Sequence, residues 1–166
     1  MNKETQFQVH TSTDADFLRV FDKVSYLTCD PVRRLFEQRL EQGQNSFIID
    51  FEHCVSVDST FLGILVGLAI KLGKQSPPGK LALVNLRGRN LETVKNLGIH
   101  KIAEICSNKI TDNTSLEELK TLKGDKKASQ ETIYQAHKFL MELNDKNLKM
   151  FSDVVSYLEQ NPENGN

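Results

Sequence analysis

The residues best suited to chemistry lie between Ile48 and Gly67, I-I-D-F-E-H-C-V-S-V-D-S-T-F-L-G-I-L-V-G. Asp58-Ser59-Thr60 sets two hydroxyls after a carboxylate and just before an apolar run. Aspartate and serine are preferred at a helix N-cap, where a side-chain oxygen accepts from first-turn N–H groups that have no intrahelical partner. The same helix end tolerates a phosphate, because its N–H groups and the positive end of its dipole favour an anion. The stretch therefore has two readings: a plain cap, or a cap beside a phosphoacceptor. Asp58 caps the helix in both.

Other candidates carry less. His53-Cys54 is a conceivable nucleophile pair, but no orienting group accompanies it. Gly63 and Gly67, four apart, read as close packing of the helix on a sheet; a phosphate-binding loop would need a Lys-Ser/Thr ending that this segment lacks. Arg87-Gly88-Arg89 reads as a solvated turn, with an acidic-partner contact as the lesser alternative. Cys29, Cys54 and Cys106 form no C-x-x-C pair and read as small buried thiols of a reducing compartment, not as metal ligands. No cofactor and no metal is expected.

The elements that must position Ser59 follow from periodicity. Thr5 to Ser12 alternates weakly, as an edge strand would, and Phe17 to Val24 is a second strand. Asp30-Pro31 opens a helix, with Asp30 as its cap and Val32, Leu35, Phe36 and Leu40 at helical spacing up to Gly43. Ser46 to Phe51 is an apolar strand, Glu52 to Asp58 a polar loop, and Ser59 to Lys74 a helix too short to span a membrane. Leu81 to Leu86 is a strand, Asn90 to Leu97 a helix closed by Gly98, and Ile102 to Cys106 the last strand. Thr114 to Leu122 is a polar helix. The order ββαβαβαβα predicts an α/β fold with a mostly parallel or mixed sheet covered by helices. The apolar runs Phe47-Ile48-Ile49 and Leu81-Ala82-Leu83-Val84 predict strands buried on both faces.

Four regions result: residues 5–122 as the domain, 123–128 as a basic linker, 129–160 as one long amphipathic helix, and 161–166 as a disordered tail. The helical stripe runs through Ile133, Ala136, Leu140, Leu143, Asn147, Met150, Val154 and Tyr157, widened by His137, Phe151 and Leu158. It either folds back on the domain or pairs with a second copy as a short coiled coil. In a homodimer, Asn147 would set the register.

Net charge −1 and an aromatic fraction of 7% without Trp argue against a nucleic-acid partner. Met1 to Phe7 lacks the apolar stretch of a signal peptide, so a cytoplasmic protein with no membrane association is expected.

Val57-Asp58-Ser59-Thr60-Phe61-Leu62-Gly63, set after the third strand, resembles the STAS family, and within it the bacterial anti-sigma-factor antagonists. Those proteins carry D-S-[ST]-G-L-G at this junction. The resemblance spans residues 5–122 and includes Val94 to Ile102, which is similar to the family's passage from a helix to the last strand. It implies that Ser59 is a phosphorylation site, with Thr60 as the backup acceptor. It further implies that the unmodified domain binds an anti-sigma factor or switch kinase with a GHKL-type ATP site, and that a PP2C-type phosphatase reverses the modification. The chain would then be a substrate and binding protein, not an enzyme. Asp58, Thr60, Phe61 and Leu62 would border the partner. Phe61 replaces the family glycine, and either packs inward or contacts a specific partner. The other function carried forward is a STAS interaction or scaffold module with no phosphorylation cycle.

Overall fold

A computed structural model describes residues 6–106 and 119–161. The elements in chain order are β1 (Phe7–His10), β2 (Asp16–Val24), α1 (Asp30–Glu41), β3 (Ser46–Val57), α2 (Ser59–Gly73), β4 (Lys80–Val84), α3 (Gly88–Asn96), a 3₁₀ turn (Ile99–Lys101), β5 (Glu104–Cys106), β6 (Lys120–Leu122), α4 (Gln130–Leu143) and α5 (Asp145–Gln160). The strands form one mixed sheet in the order β5-β4-β3-β2-β1-β6. Pairs β2–β3, β3–β4 and β4–β5 are parallel, joined through α1, α2 and α3; β1 runs antiparallel to both β2 and β6. The expected α/β architecture is the observed one.

The sheet buries one face more completely than the other. Phe47, Ile49 and Phe51 of β3 and Leu81 and Leu83 of β4 point to the helices and are buried. Their neighbours Ile48 and Ala82 are only half-buried, because successive side chains of a strand point to opposite faces. The second face also holds the Arg19–Asp50 ion pair at 3.1 Å. The apolar runs thus do not mark strands buried on both faces. Each large side chain removed from water on the helical face contributes about 1.5–3 kcal/mol.

Several boundaries differ from expectation. Glu52 to Val57 is not a loop but the second half of β3, paired with β2 as far as Val24–Val57. Asp30 does not cap α1: Cys29 holds that position, and Asp30 in the first turn accepts from Arg33 at 2.8 Å. Strand β1 is not an edge strand, since β6 covers its outer side. Lys120 to Leu122, expected to end a helix, forms that strand; residues 114–118 of the expected helix lie outside the described residues.

The C-terminal region is two helices, not one. Asn144 breaks the stripe: its backbone is extended, and its side chain caps α5 by accepting from Asn147 N at 2.8 Å. The helices fold into an antiparallel hairpin, with the Tyr134 hydroxyl donating to Glu159 at 2.9 Å near the open end. The hairpin packs on its own domain. Asn147, buried, donates its side-chain N–H groups to the carbonyls of Leu97 and Leu140 at 2.8 and 2.9 Å. Asn144 donates to Leu97 O at 3.2 Å. The expected role of Asn147 in a homodimer register is replaced by an internal one. Gly98, at φ +83°, makes the turn that lets Asn144 approach; a Cβ there would press on its amide.

A helix buried on every side must be apolar all round, and α2 is. Residues Thr60 to Ala69 form an unbroken buried run. One side of α2 meets the sheet and the opposite side meets α4. Gly63 and Gly67 face α4, not the sheet as expected. A Cβ on Gly63 would overlap the Ala136 carbonyl, and one on Gly67 would press on the Phe139 ring.

Candidate functional site at the start of α2

Asp58 fixes the junction between β3 and α2. One carboxylate oxygen accepts from Phe61 N at 2.9 Å, closing the cap, and the other accepts from Tyr26 N at 2.8 Å. The cap thereby ties α2 to the corner that follows β2, where Tyr26 and Leu27 are exposed at 42% and 54%. The same carboxylate bears on Cys29. Burial first, then Asp58 and Asp30, push this thiol up to about 12, so it stays protonated.

Ser59 is the first residue of α2 and is half-buried. Its Oγ lies 2.8 Å from Nε2 of His137 on α4. The direction of that bond follows from the other ring nitrogen. His137 Nδ1 lies 2.8 Å from the carbonyl of Ile133, which can only accept. Nδ1 therefore carries the proton. In the neutral ring Nε2 is then a bare acceptor, and the Ser59 hydroxyl donates to it. His137 is 5% exposed and packs edge-on against Phe151 of α5 at 5.4 Å between centroids. The hydroxyl of Ser59 is thus held by the hairpin.

The other expected site residues do not share this position. Thr60 is buried, at 4% exposure, which removes it as a backup acceptor in this arrangement. Phe61 and Leu62 are buried in the core at 0% and 1%. Phe61 packs inward, and neither side chain is presented to a partner. Of the expected contact residues, Asp58 remains partly accessible beside Ser59. His53 and Cys54 are neighbours on β3 and point to opposite faces. His53 stacks on Phe21 at 5.3 Å, and burial pushes the Cys54 thiol up to about 11. They form no nucleophile pair. Arg87 is not simply solvated: it binds the carbonyl and the carboxylate of Glu52 at 2.9 and 3.3 Å. Among the described residues no cluster of His, Cys, Asp and Glu could hold a metal, and no helix is long and apolar enough to cross a membrane.

This strand-to-helix junction lies within residues 6–113, which match the family described as the STAS domain. The chain belongs to the STAS domain family. Three solved structures share the STAS fold with it at low identity. The anti-sigma factor antagonist SpoIIAA in its unphosphorylated form has a TM-score of 0.51 at 19% identity, covering 61% of this chain and 88% of that one. The Bacillus cell fate determinant SpoIIAA in the phosphorylated form has a TM-score of 0.51 at 18% identity, covering 61% and 92%. An anti-sigma factor antagonist from Mycobacterium paratuberculosis has a TM-score of 0.53 at 17% identity, covering 61% and 85%. No curated protein sequence matches the chain. The α4–α5 hairpin lies beyond the matched STAS residues.

Two features of the STAS site were missed in the sequence. His137 read as one more member of an apolar stripe. A histidine in such a stripe needs a polar partner when buried, and that was the available signal. Tyr26 and Leu27 sit in a segment without periodicity, so nothing marked them.

Proposed function

We propose that this STAS protein is an anti-sigma-factor antagonist controlled by phosphorylation of Ser59. The observation that carries the reading is the position of Ser59: a hydroxyl on the first residue of a buried helix, directly after its capping aspartate. A phosphate there would meet the favourable end of the helix dipole and add about −1.5 to −2 charges beside Asp58. The fold would survive while the local surface became strongly anionic. Phosphorylated and unphosphorylated forms of SpoIIAA are both known as structures, which supports the analogy.

In this reading the unmodified form binds an anti-sigma factor or GHKL-type serine kinase, and a PP2C-type phosphatase restores it. The contact surface is Asp58, Ser59 and the exposed Tyr26–Leu27 corner tied to Asp58, because Phe61 and Leu62 are core residues. Each tenfold loss of affinity needs only about 1.4 kcal/mol, which one desolvated phosphate supplies.

The second reading, a STAS interaction module without a phosphorylation cycle, is favoured by one observation: the Ser59 hydroxyl is engaged by His137 and half-buried. Incubation of the full chain with a lysate of its own cells and γ-labelled ATP separates the two. Label on Ser59, absent from Ser59→Ala, is the expected result. A stable complex that ATP neither labels nor dissolves would establish the module instead.

A further inference from the structure

We infer that the α4–α5 hairpin is a latch on the modification site, and that a closed hairpin and a phosphate on Ser59 exclude each other. The inference rests on the reading of Ser59 as phosphoacceptor, and adds the conformational element through which that site is regulated.

The latch is a single proton on Ser59. It bonds to His137 Nε2, whose lone pair faces it because Nδ1–H is committed to Ile133 O. Transfer of the γ-phosphoryl group of ATP forms the Oγ–P bond and breaks the bond from the γ-phosphorus to the bridging oxygen. ADP leaves, and the hydroxyl proton goes to a base of the kinase. The proton lost is the one the latch uses. The ester oxygen that remains has only lone pairs to set against Nε2.

Space makes the exclusion stronger. Three further phosphate oxygens would have to fit beside α4, which already meets α2 at close approach. Gly63 and Ala136 touch without room for a methyl group, and Phe139 lies over Gly67. Close-packed interfaces of this kind have discrete arrangements instead of yielding gradually. At its far end the hairpin is held by Asn144, Lys146 and Asn147, which donate to carbonyls of Asn96 and Leu97 at the end of α3. Loosening near Ser59 therefore releases the α2 face while the turn between the helices stays tethered. The linkage is reciprocal. A seated hairpin slows modification because a kinase must meet Ser59 with α4 lifted, and a phosphate keeps the hairpin from reseating. The partner surface at Asp58 and Tyr26 then changes in shape as well as in charge.

The test is hydrogen exchange on the full chain carrying phosphoserine at position 59, installed during translation. Amides of residues 130–140 and 151–160 should exchange at least about tenfold faster than in the unmodified chain, while those of 144–147, held at the end of α3, keep more of their protection. Strands at residues 47–51 and 81–84 should keep their protection. In His137→Ala, hairpin exchange should already be fast, and the phosphate should add little. Unchanged exchange on phosphoserine would overturn the inference. Slower exchange would also overturn it, and would mean that a protonated His137 holds the phosphate. Loss of protection in the sheet together with the hairpin would overturn it as well, since the effect would be global. No cellular kinase is involved, so the result is independent of whether the cell modifies Ser59, which the labelling in lysate reads.

Discussion

The Ser59 hydroxyl donates to His137, 78 residues further along the chain, at 2.8 Å. The bond joins the first residue of α2 to a helix beyond the residues that match the STAS domain. A net contribution of about 0.5–1.5 kcal/mol is expected from one such bond. It is small against the apolar contact of α2 with α4, and well suited to a switch.

Ser59→Ala should therefore fold normally and lose about 0.5–1.5 kcal/mol of stability. His137→Ala should lose more, about 1–3 kcal/mol, because the Ile133 carbonyl and the Ser59 hydroxyl both lose a buried partner and Phe151 loses a ring contact. Urea titration of the three proteins checks the order.

Gly63→Ala should destabilise by about 1–3 kcal/mol, the cost of an added methyl group in a filled interface. Its overlap is with the Ala136 backbone, which cannot rotate away. Gly67→Ala should cost less, since its neighbour is the edge of the Phe139 ring. Limited proteolysis should cut Gly63→Ala first between residues 129 and 160, and leave the sheet intact.

Asn147→Ala leaves the carbonyls of Leu97 and Leu140 without this donor inside the protein. A cost of about 1–3 kcal/mol is expected. The sedimentation coefficient should match that of the unmodified chain, because the bonds of Asn147 are internal. A shift to a smaller species would restore the coiled-coil reading of the stripe.

Stability should fall at alkaline pH through Cys29. Its folded-state pKa is raised to about 12 from an ordinary 9.0, so the unfolded chain releases the proton first. The contribution is intact below about 9 and is lost as pH rises towards about 12. Urea midpoints from pH 8 to pH 11 should fall less in Cys29→Ala than in the unmodified chain. At pH 8 the Cys29 thiol should react with a disulfide reagent only after unfolding.

The sheet and the Asp58 cap were legible in the sequence because both rest on local patterns: apolar strands between helices, and a carboxylate before an apolar run. What was not legible depends on contacts distant in the chain. Alternation in β3 was masked because Ile48, on the more open face, is as apolar as its neighbours. The hairpin was read as one helix because the apolar stripe continues in phase across Leu143, Asn147 and Met150. Asn144-Asp145 is a good cap, but nothing local says that the chain reverses there. Gly63 and Gly67 announced a close approach, but the neighbour is α4 and not the sheet expected there, because α4 lies far along the chain. Phe61 was left with two readings because its burial depends on the core it enters.

Phosphopeptide mass spectrometry on the protein isolated from its own cells, with and without phosphatase treatment, reads directly whether Ser59 carries a phosphate. The expected result is a phosphatase-sensitive phosphate on Ser59 and none on the buried Thr60. Full coverage of the 58–62 peptide with Ser59 unmodified across several growth states would contradict it.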